Sequence, residues 1–177
     1  KLLKKTDVIK IDFGVHIDGS IIDSAFTYTF DSKYDKLLES SKTSTDIAIK
    51  LARPDMLLSE IGEEIEENMR SYEIELNGKM KKIVPVKNLC GHEINKFEIH
   101  GNKVIPNIKC NFYNKRIEED EYYAVETFAS TGKGETYEDN KNNSHFMIDY
   151  KKNKKCESDL YKFIMKKYKT LAFTDRW

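Results

Sequence analysis

The sequence predicts an α/β fold of the α+β kind, with strands and helices in one chain. Three observations predict it. First, strand-forming apolar runs flank an Asp-Gly dipeptide near residue 18. Second, two later stretches have apolar residues at every third or fourth position, which is typical of helices. Third, further strand-forming runs follow these stretches. The chain has 177 residues, 39% of them hydrophobic, so it is long enough for one domain with a sizeable core.

The first predicted element is a β-hairpin, and two helices follow it. Residues 8–13 and 21–30 are rich in strand formers, and Asp18-Gly19 between them is typical of a tight turn. Pro54 is expected to end the first helix, and Ser59 is expected to cap the second. The predicted buried faces are Tyr34, Leu37, Leu38, Ser41, Thr45, Ala48 and Ala52 on the first helix, and Leu58, Ile61, Ile65, Met69 and Tyr72 on the second.

The second half of the chain predicts shorter elements. Residues 83–89 and 122–128 are expected to form strands, and the stretch 91–121 between them is expected to be rich in loops. Residues 132–156 have the polar composition of a loop. A short amphipathic helix follows, with Leu160, Phe163, Ile164 and Tyr168 on one face.

Charge and cysteine content exclude several classes of protein. The 30 basic and 30 acidic residues balance, so no overall field attracts the chain to DNA or to a membrane. No apolar run is long enough to span a bilayer. Cys90, Cys110 and Cys156 are odd in number and scattered, which favours reduced thiols in the cytoplasm. The lysine-rich residues 151–155 are interpreted as a solvated loop rather than a nucleic-acid site.

Two aspartates inside the predicted hairpin point to a metal site. With Asp18 and Gly19 at the tip, Asp12 lies opposite Ala25, and Asp23 shares the face of Asp12. Such diagonal neighbours lie roughly 7–8 Å apart, within reach of two side chains. Two carboxylates that converge on a half-buried face repel each other unless one is protonated or a cation lies between them. A divalent cation is the usual solution because hard cations prefer oxygen ligands.

Two more candidate ligands follow in strand-forming sequence. His92 comes after Gly91 at the end of an apolar run, and Glu126 lies inside the run 122–128. Each alone is more often structural than a ligand. Together with Asp12 and Asp23 they form an oxygen-rich set that suits two cations sharing bridging carboxylates.

Several motifs resemble those of type 2 methionine aminopeptidases, in the same order along nearly the whole chain. The motifs are Lys10-Ile-Asp-Phe-Gly14, Ile21-Ile-Asp-Ser-Ala-Phe-Thr27, Asn88-Leu-Cys-Gly-His92, Ile99-His100-Gly101 and Ala124-Val-Glu-Thr-Phe-Ala-Ser-Thr-Gly-Lys-Gly134. The resemblance implies the pita-bread fold, in which the metals lie between two halves. It places residues 1–134 in the catalytic domain and residues 135–177 at the beginning of the type 2 insert.

The resemblance also implies roles for individual residues. Asp12 and Asp23 would hold two divalent ions (cobalt, manganese, iron or zinc) together with His92 and Glu126, and Glu126 would also move the proton. His100 would be catalytic as well, contacting the substrate and stabilising the tetrahedral intermediate. The positions that match the methionine pocket are Ile99, Phe128, His145 and Ala172.

The implied function is removal of the N-terminal methionine from nascent peptides by a cytoplasmic monomer, with the ribosome as a further candidate partner. The family has a fifth ligand, a glutamate in a late strand, and Glu135, Glu138 and Glu157 do not fit that position. We therefore expect these residues to be part of a longer protein and to be inactive alone.

Two alternatives stay open. Some pita-bread proteins have lost their metals and bind RNA, ribosomes or histones, but they typically replace the ligands, and all four ligand positions are filled here. An aminopeptidase for Xaa-Pro peptides belongs to the same superfamily, and the type 2 insert argues against it.

Overall fold

The computed structural model describes residues 2–139, 143–149 and 158–176. The strands are β1 (Val8–Ile17), β2 (Ser20–Thr29), β3 (Glu73–Leu76), β4 (Lys79–Lys82), β5 (Val84–Pro85), β6 (Cys90–Ile94), β7 (Val104–Pro106), β8 (Tyr122–Ala124), β9 (Ala129–Ser130), β10 (His145–Phe146) and β11 (Phe173–Thr174). The helices are a 3-10 turn at Ser32–Tyr34, α1 (Asp35–Leu51), α2 (Leu58–Arg70) and α3 (Asp159–Lys167). The predicted mixture of strands and helices is confirmed. Among the residues described, no helix has the length and apolar character needed to cross a bilayer.

The β1–β2 hairpin has the register that its sequence predicts. Ile17 pairs with Ser20, and Asp12 pairs with Ala25. At the tip, Asp18 and Gly19 have φ angles of 47° and 84°, the left-handed backbone that a two-residue type I′ turn requires at both positions.

The two faces of the hairpin differ in character. Because opposite residues share a face, Asp12 and Asp23 lie together on one side. The other side is apolar and exposed, with 39–84% of each residue's surface accessible to solvent. Its exposed members are Ile11, Phe13, Val15, Ile17, Ile22, Phe26 and Tyr28.

Helix α2 contributes most of the core. Leu58, Ile61, Ile65 and Met69 are fully buried, as predicted from their spacing, and they cluster with Ile105 of β7. Burying side chains of this size stabilises the fold by about 1.5–3 kcal/mol each.

The predicted cap of α2 is wrong. Ser59 lies inside the helix, and the N-cap is Leu57, which makes no side-chain capping bond. The Leu58 N–H donates instead to the carbonyl of Lys115, 3.0 Å away. A distant segment therefore replaces the local serine cap.

Helix α1 ends before Pro54, as predicted, and packs on α2 through small residues. Of its predicted buried face only Ala48 is fully buried, and Ser41 and Thr45 contact Thr127 instead. Ser40, Ser44 and Ala48 are fully buried on its inner face, so the helices approach closely. The side-chain amide of Asn68 donates to the hydroxyl oxygen of Ser44 at 2.8 Å, which satisfies that hydroxyl inside the contact.

The central strands are shorter than predicted and differently placed. The predicted strand 83–89 is reduced to β5, and β6 and β7 lie inside the stretch that was predicted to be rich in loops. β6 pairs with β7 on one side and with β8 on the other. These strands exist because distant segments pair with them, which local propensity does not reveal.

The predicted strand 122–128 changes its partner midway. β8 pairs with β6, with Ala124 opposite His92, whereas β9 pairs with β5, with Ala129 opposite Pro85. Glu126 lies in the crossing between the two strands rather than inside one strand.

The prediction of reduced cytoplasmic thiols stays a prediction. Cys90 and Cys110 are free. Cys156 and the lysine-rich residues 151–155 lie outside the described residues.

Candidate metal centre

Two of the predicted ligands, Asp23 and Glu126, converge on the ring of a third, His92. Its Nε2 lies 3.0 Å from Oε1 of Glu126 and 3.6 Å from Oδ2 of Asp23. The His92 side chain is 8% exposed, and the two carboxylates are partly buried at 29% and 23% exposed. The hairpin, β6 and the crossing after β8 therefore meet at one point.

The other ring nitrogen of His92 has a different partner. Nδ1 lies 3.4 Å from the carbonyl oxygen of Glu93, an acceptor that favours the tautomer with the proton on Nδ1. Ligand histidines in proteins commonly have this arrangement. With the proton on Nδ1, Nε2 is the nitrogen that could bind a cation, whereas without a cation its 3.0 Å contact with Glu126 is a hydrogen bond that Nε2–H donates to the carboxylate.

Asp12 is the fourth predicted ligand and lies beside Asp23. It is exposed on β1 opposite Ala25, on the carboxylate face of the hairpin. Its negative charge is close enough to act on Asp23.

The electrostatics of the cluster show that negative charge is concentrated there. Burial, the charge of Glu126 and the charge of Asp12 raise the pKa of Asp23. Burial alone would lower the pKa of His92, but the hydrogen bond and charge of Glu126, the Glu93 carbonyl and the charge of Asp23 outweigh burial and raise it. Burial, with the charge of Glu126, also raises the pKa of the Cys90 thiol.

His100 lies against His92. The two rings are 4.5 Å apart between centroids and nearly perpendicular, at 81°. Partial burial of the ring and the nearby His92 lower the pKa of His100, so its neutral form dominates at neutral pH. A neutral imidazole can both donate and accept a hydrogen bond.

The side chains of this cluster carry donor atoms that suit a divalent cation. One imidazole nitrogen and carboxylates in a partly buried cluster form a suitable donor set, and burial with the charges of Glu126 and Asp12 raises the pKa of Asp23. Within residues 2–139, 143–149 and 158–176, no three such side chains are arranged to hold an ion as they stand. Nε2 of His92 contacts Glu126 directly, so a cation would have to enter between them.

Helix α1 fixes the segment that carries Glu126. The Thr127 hydroxyl donates to the carbonyl of Ser41 at 2.9 Å, and the Ser41 hydroxyl donates to the carbonyl of Thr127 at 3.1 Å. The Thr45 hydroxyl lies 2.8 Å from the Thr127 hydroxyl. These bonds hold the crossing after β8 against the helix.

Two clefts adjoin the cluster and share His100. One, of about 380 Å³, is lined by His92, Glu126 and Phe128 among others. The other, of about 280 Å³, is lined by Ile99 together with Met147, Ile148 and Thr170 among others. Ile99 and Phe128 thus lie beside the candidate site.

The remaining two predicted pocket residues lie elsewhere. His145 is exposed on β10, with its Nδ1 3.0 Å from the Ser144 hydroxyl, and Ala172 is exposed just before β11. Neither lines the two clefts described above, and their assignment to the methionine pocket stays a prediction.

Sequence reasoning missed two residues that shape the site. The Glu93 carboxylate accepts hydrogen bonds from the backbone N–H groups of Asn102 and Lys103. The Phe97 N–H donates to the carbonyl of Gly19 at 2.9 Å and so joins the hairpin tip to the segment before His100. Gly101, which directly follows His100, was the available signal for Glu93, since a glycine there suggests close packing.

Comparison with known proteins gives consistent matches. The model of metallopeptidase family M24 matches residues 1–152. Methionine aminopeptidase 2 of Kluyveromyces lactis is 53% identical over 133 residues, which is 75% of this chain and 32% of that protein. Methionine aminopeptidase 2 of Dictyostelium discoideum is 46% identical over 178 residues, 99% of this chain and 41% of that protein. The chain thus spans between 32% and 41% of the length of these two relatives.

Solved structures show the same fold at lower identity. The crystal structure of methionine aminopeptidase from Thermotoga maritima matches with a TM-score of 0.64 and 23% identity, covering 75% of this chain and 50% of that one. The structure of a thermophilic Arx1 matches with a TM-score of 0.74 and 17% identity, covering 96% and 52%. These matches confirm the predicted pita-bread type of fold.

Proposed function

Because the chain belongs to metallopeptidase family M24, we propose that this protein is a metal-dependent aminopeptidase that removes the N-terminal methionine from nascent proteins. Membership of this family implies a divalent metal cofactor. The similarity to proteins named methionine aminopeptidase 2 supports the substrate.

The single observation that carries the proposal is the position of His92. One imidazole nitrogen lies within 3.6 Å of two carboxylates from distant parts of the chain. Burying charges of the same sign together is unfavourable unless a cation compensates them. Asp12, Asp23, His92 and Glu126 would hold two divalent cations, with cobalt, manganese, iron and zinc all compatible with these donors.

The residues of this chain have separate roles in the proposed reaction. When bound, the cations would lower the pKa of a water molecule and polarise the scissile carbonyl. Glu126 accepts a proton from the attacking water on a carboxylate oxygen and passes it to the leaving amine. His100 is neutral, so it donates a hydrogen bond to the substrate oxygen as negative charge develops there.

The proposal includes a binding site for the methionine side chain and a cellular setting. Ile99 and Phe128 line the clefts that adjoin His100, which supports their place in the methionine pocket. His145 and Ala172 complete the predicted pocket. We propose a cytoplasmic monomer that meets its substrates as they leave the ribosome.

The test is release of methionine from the peptide Met-Ala-Ser by the full-length protein loaded with manganese or cobalt. We expect turnover of this peptide, none of Pro-led peptides, and loss of turnover with EDTA. Asp23→Ala is expected to abolish activity because it removes a carboxylate from the cluster, whereas the exposed Glu119→Ala is the matched control.

Each alternative has its own outcome. Cleavage of Xaa-Pro bonds in place of methionine release would assign the protein to the other peptidase class. A full-length protein that binds neither manganese nor cobalt in equilibrium dialysis would favour the metal-free binding module. Full activity in Asp23→Ala would overturn the site assignment.

A further inference from the structure

Glu93 binds the chain segment that follows His100 through its side chain. Its Oε2 accepts hydrogen bonds from the backbone N–H groups of Asn102 at 2.7 Å and Lys103 at 3.1 Å. Hydrogen bonds to an ionised carboxylate are roughly twice as strong as those between neutral groups. The carboxylate thus holds two consecutive amides of the turn.

The backbone of Glu93 binds the same segment. Its carbonyl oxygen accepts from the Gly101 N–H at 2.7 Å, and its N–H donates to the carbonyl of Lys103 at 2.9 Å. Four hydrogen bonds therefore join one residue to three consecutive ones. The same carbonyl lies 3.4 Å from Nδ1 of His92, so Glu93 contacts both the histidine before it and the segment after His100.

Gly101 makes this arrangement possible. A β-carbon at position 101 would lie 2.5 Å from Oε2 of Glu93 and 2.8 Å from two of its carbon atoms. A side chain at position 101 would therefore require the Glu93 side chain to shift from its present place. The close approach and the two side-chain hydrogen bonds are independent observations of one contact.

From this geometry we propose that Glu93 is a positioning residue for His100. Gly101 follows His100 directly, so the bonds from Glu93 fix the chain direction at His100 and hold its ring 4.5 Å from the ring of His92. Without the carboxylate, the turn at 101–103 keeps only its backbone bonds and the His100 ring samples other orientations. The effect on catalysis rests on the proposed function, in which His100 contacts the substrate.

The first test measures the positioning itself, in the full-length protein, without any assay of activity. Glu93→Ala removes the acceptor, whereas Glu93→Gln keeps an acceptor oxygen at the same reach. We expect amide hydrogen exchange at Asn102 and Lys103 to rise about tenfold or more in Glu93→Ala and to change little in Glu93→Gln. The NMR signals of the His100 ring should shift in Glu93→Ala and stay in place in Glu93→Gln and in the exposed control Glu119→Ala.

The second test is a double-mutant cycle with His100→Ala in the metal-loaded full-length enzyme. We expect Glu93→Ala to lower kcat about tenfold with little change in KM, because the group affected acts in the transition state. In the His100→Ala background, Glu93→Ala should cause no further loss, since it acts through a ring that is no longer present.

The outcomes separate the positioning role from the proposed function. The positioning role would be overturned if Glu93→Ala left both the amide exchange at Asn102 and Lys103 and the NMR signals of His100 unchanged. It would also be overturned if the reductions in kcat caused by Glu93→Ala and His100→Ala multiplied in the double variant. If the unmutated protein releases no methionine but the exchange and ring signals change as expected, the positioning stands and the proposed function fails. Should Glu93→Ala fail to fold by circular dichroism, Glu93→Asp, which keeps the charge but lacks the reach, replaces it in both tests.

Discussion

Glu126 lies two residues beyond Ala124, just after the end of β8, and its Oε1 is 3.0 Å from Nε2 of His92. Their contact follows from the pairing of β6 with β8, in which His92 stands opposite Ala124. We predict that Glu126→Gln lowers kcat for methionine release by about 100-fold or more, because an amide cannot accept the proton of the attacking water.

The measurement for Glu126→Gln is steady-state kinetics of the full-length protein with saturating manganese. Glu135→Gln is the matched control, since Glu135 is half exposed and pairs with Lys87. A kcat within twofold of the unmutated protein in Glu126→Gln would contradict the role of Glu126 in proton transfer.

Asp23 is predicted to destabilise the protein when metal is removed. Its folded-state pKa is raised by burial, Glu126 and Asp12, so the folded state disfavours the ionised form. This unfavourable contribution is absent in strong acid and develops as the pH rises from the ordinary aspartate value through the raised one. Asp23→Asn should therefore raise the stability of the metal-free protein at neutral pH, by an amount on the order of 0.5 kcal/mol after solvent screening.

Urea unfolding in EDTA tests the effect of Asp23→Asn at neutral pH and in acid. The gain should be present at neutral pH and vanish below the ordinary aspartate pKa. The same variant should bind manganese more weakly. If Asp23→Asn were less stable than the unmutated protein at neutral pH without metal, the neighbouring carboxylates would not repel Asp23 in the folded state.

Gly19 at the hairpin tip is predicted to tolerate no side chain. Its φ is 84°, and an added β-carbon would overlap the ring of Phe97. Gly19→Ala should lower the free energy of unfolding by about 1–3 kcal/mol, from backbone strain and displacement of the ring together.

Gly78 provides the control for the effect of the Phe97 ring on the stability of Gly19→Ala. It has a similar φ of 71° at the β3–β4 turn, but an added β-carbon would meet nothing within 4 Å. Gly78→Ala should therefore cost about 1 kcal/mol or less, from the backbone alone. Thermal unfolding of both variants separates the two contributions, and equal losses would show that Phe97 does not restrict the tip.

Protonation of Glu121 is predicted to lower the free energy of unfolding in acid. Burial would raise the pKa of Glu121, but hydrogen bonds from the Glu118 N–H, Lys103 and Tyr123 outweigh it and lower the pKa. The stabilisation is therefore present above the ordinary glutamate pKa and is lost as the pH falls through the lowered value. Glu121→Gln should destabilise the protein by about 1–3 kcal/mol at neutral pH, since Lys103 loses a nearly buried partner 2.5 Å away.

The check on Glu121 is a series of urea unfolding curves across the acid range. The difference between Glu121→Gln and the unmutated protein should shrink toward low pH, where both lack the charge. A constant difference at every pH would mean that packing, not the carboxylate charge, accounts for the loss.

The hairpin could be predicted from sequence because its determinants are local. The Asp18-Gly19 turn sets the register, and the register alone places Asp12 and Asp23 on one face. The buried face of α2 was predictable for the same reason, since its spacing of three and four residues requires no knowledge of the partner.

The central strands could not be predicted, because their partners lie far away in the sequence. β6 is short and contains Gly91 and His92, and only pairing with β7 and β8 makes it a strand. The position of Glu126 depends on the change of partner between β8 and β9. The role proposed for Glu93 depends on the turn at residues 101–103, for which Gly101 was the one signal in the sequence.

The hairpin also constrains the order in which the candidate site can assemble. Its strands are joined by a two-residue turn, so they can pair on their own within about 1–10 μs, whereas contacts between distant segments form more slowly. The pairing that brings Asp12 and Asp23 onto one face therefore requires no contact with His92 or Glu126. The imidazole of His92 reaches these carboxylates only through contacts between distant segments, so the candidate site is complete only when those segments have packed.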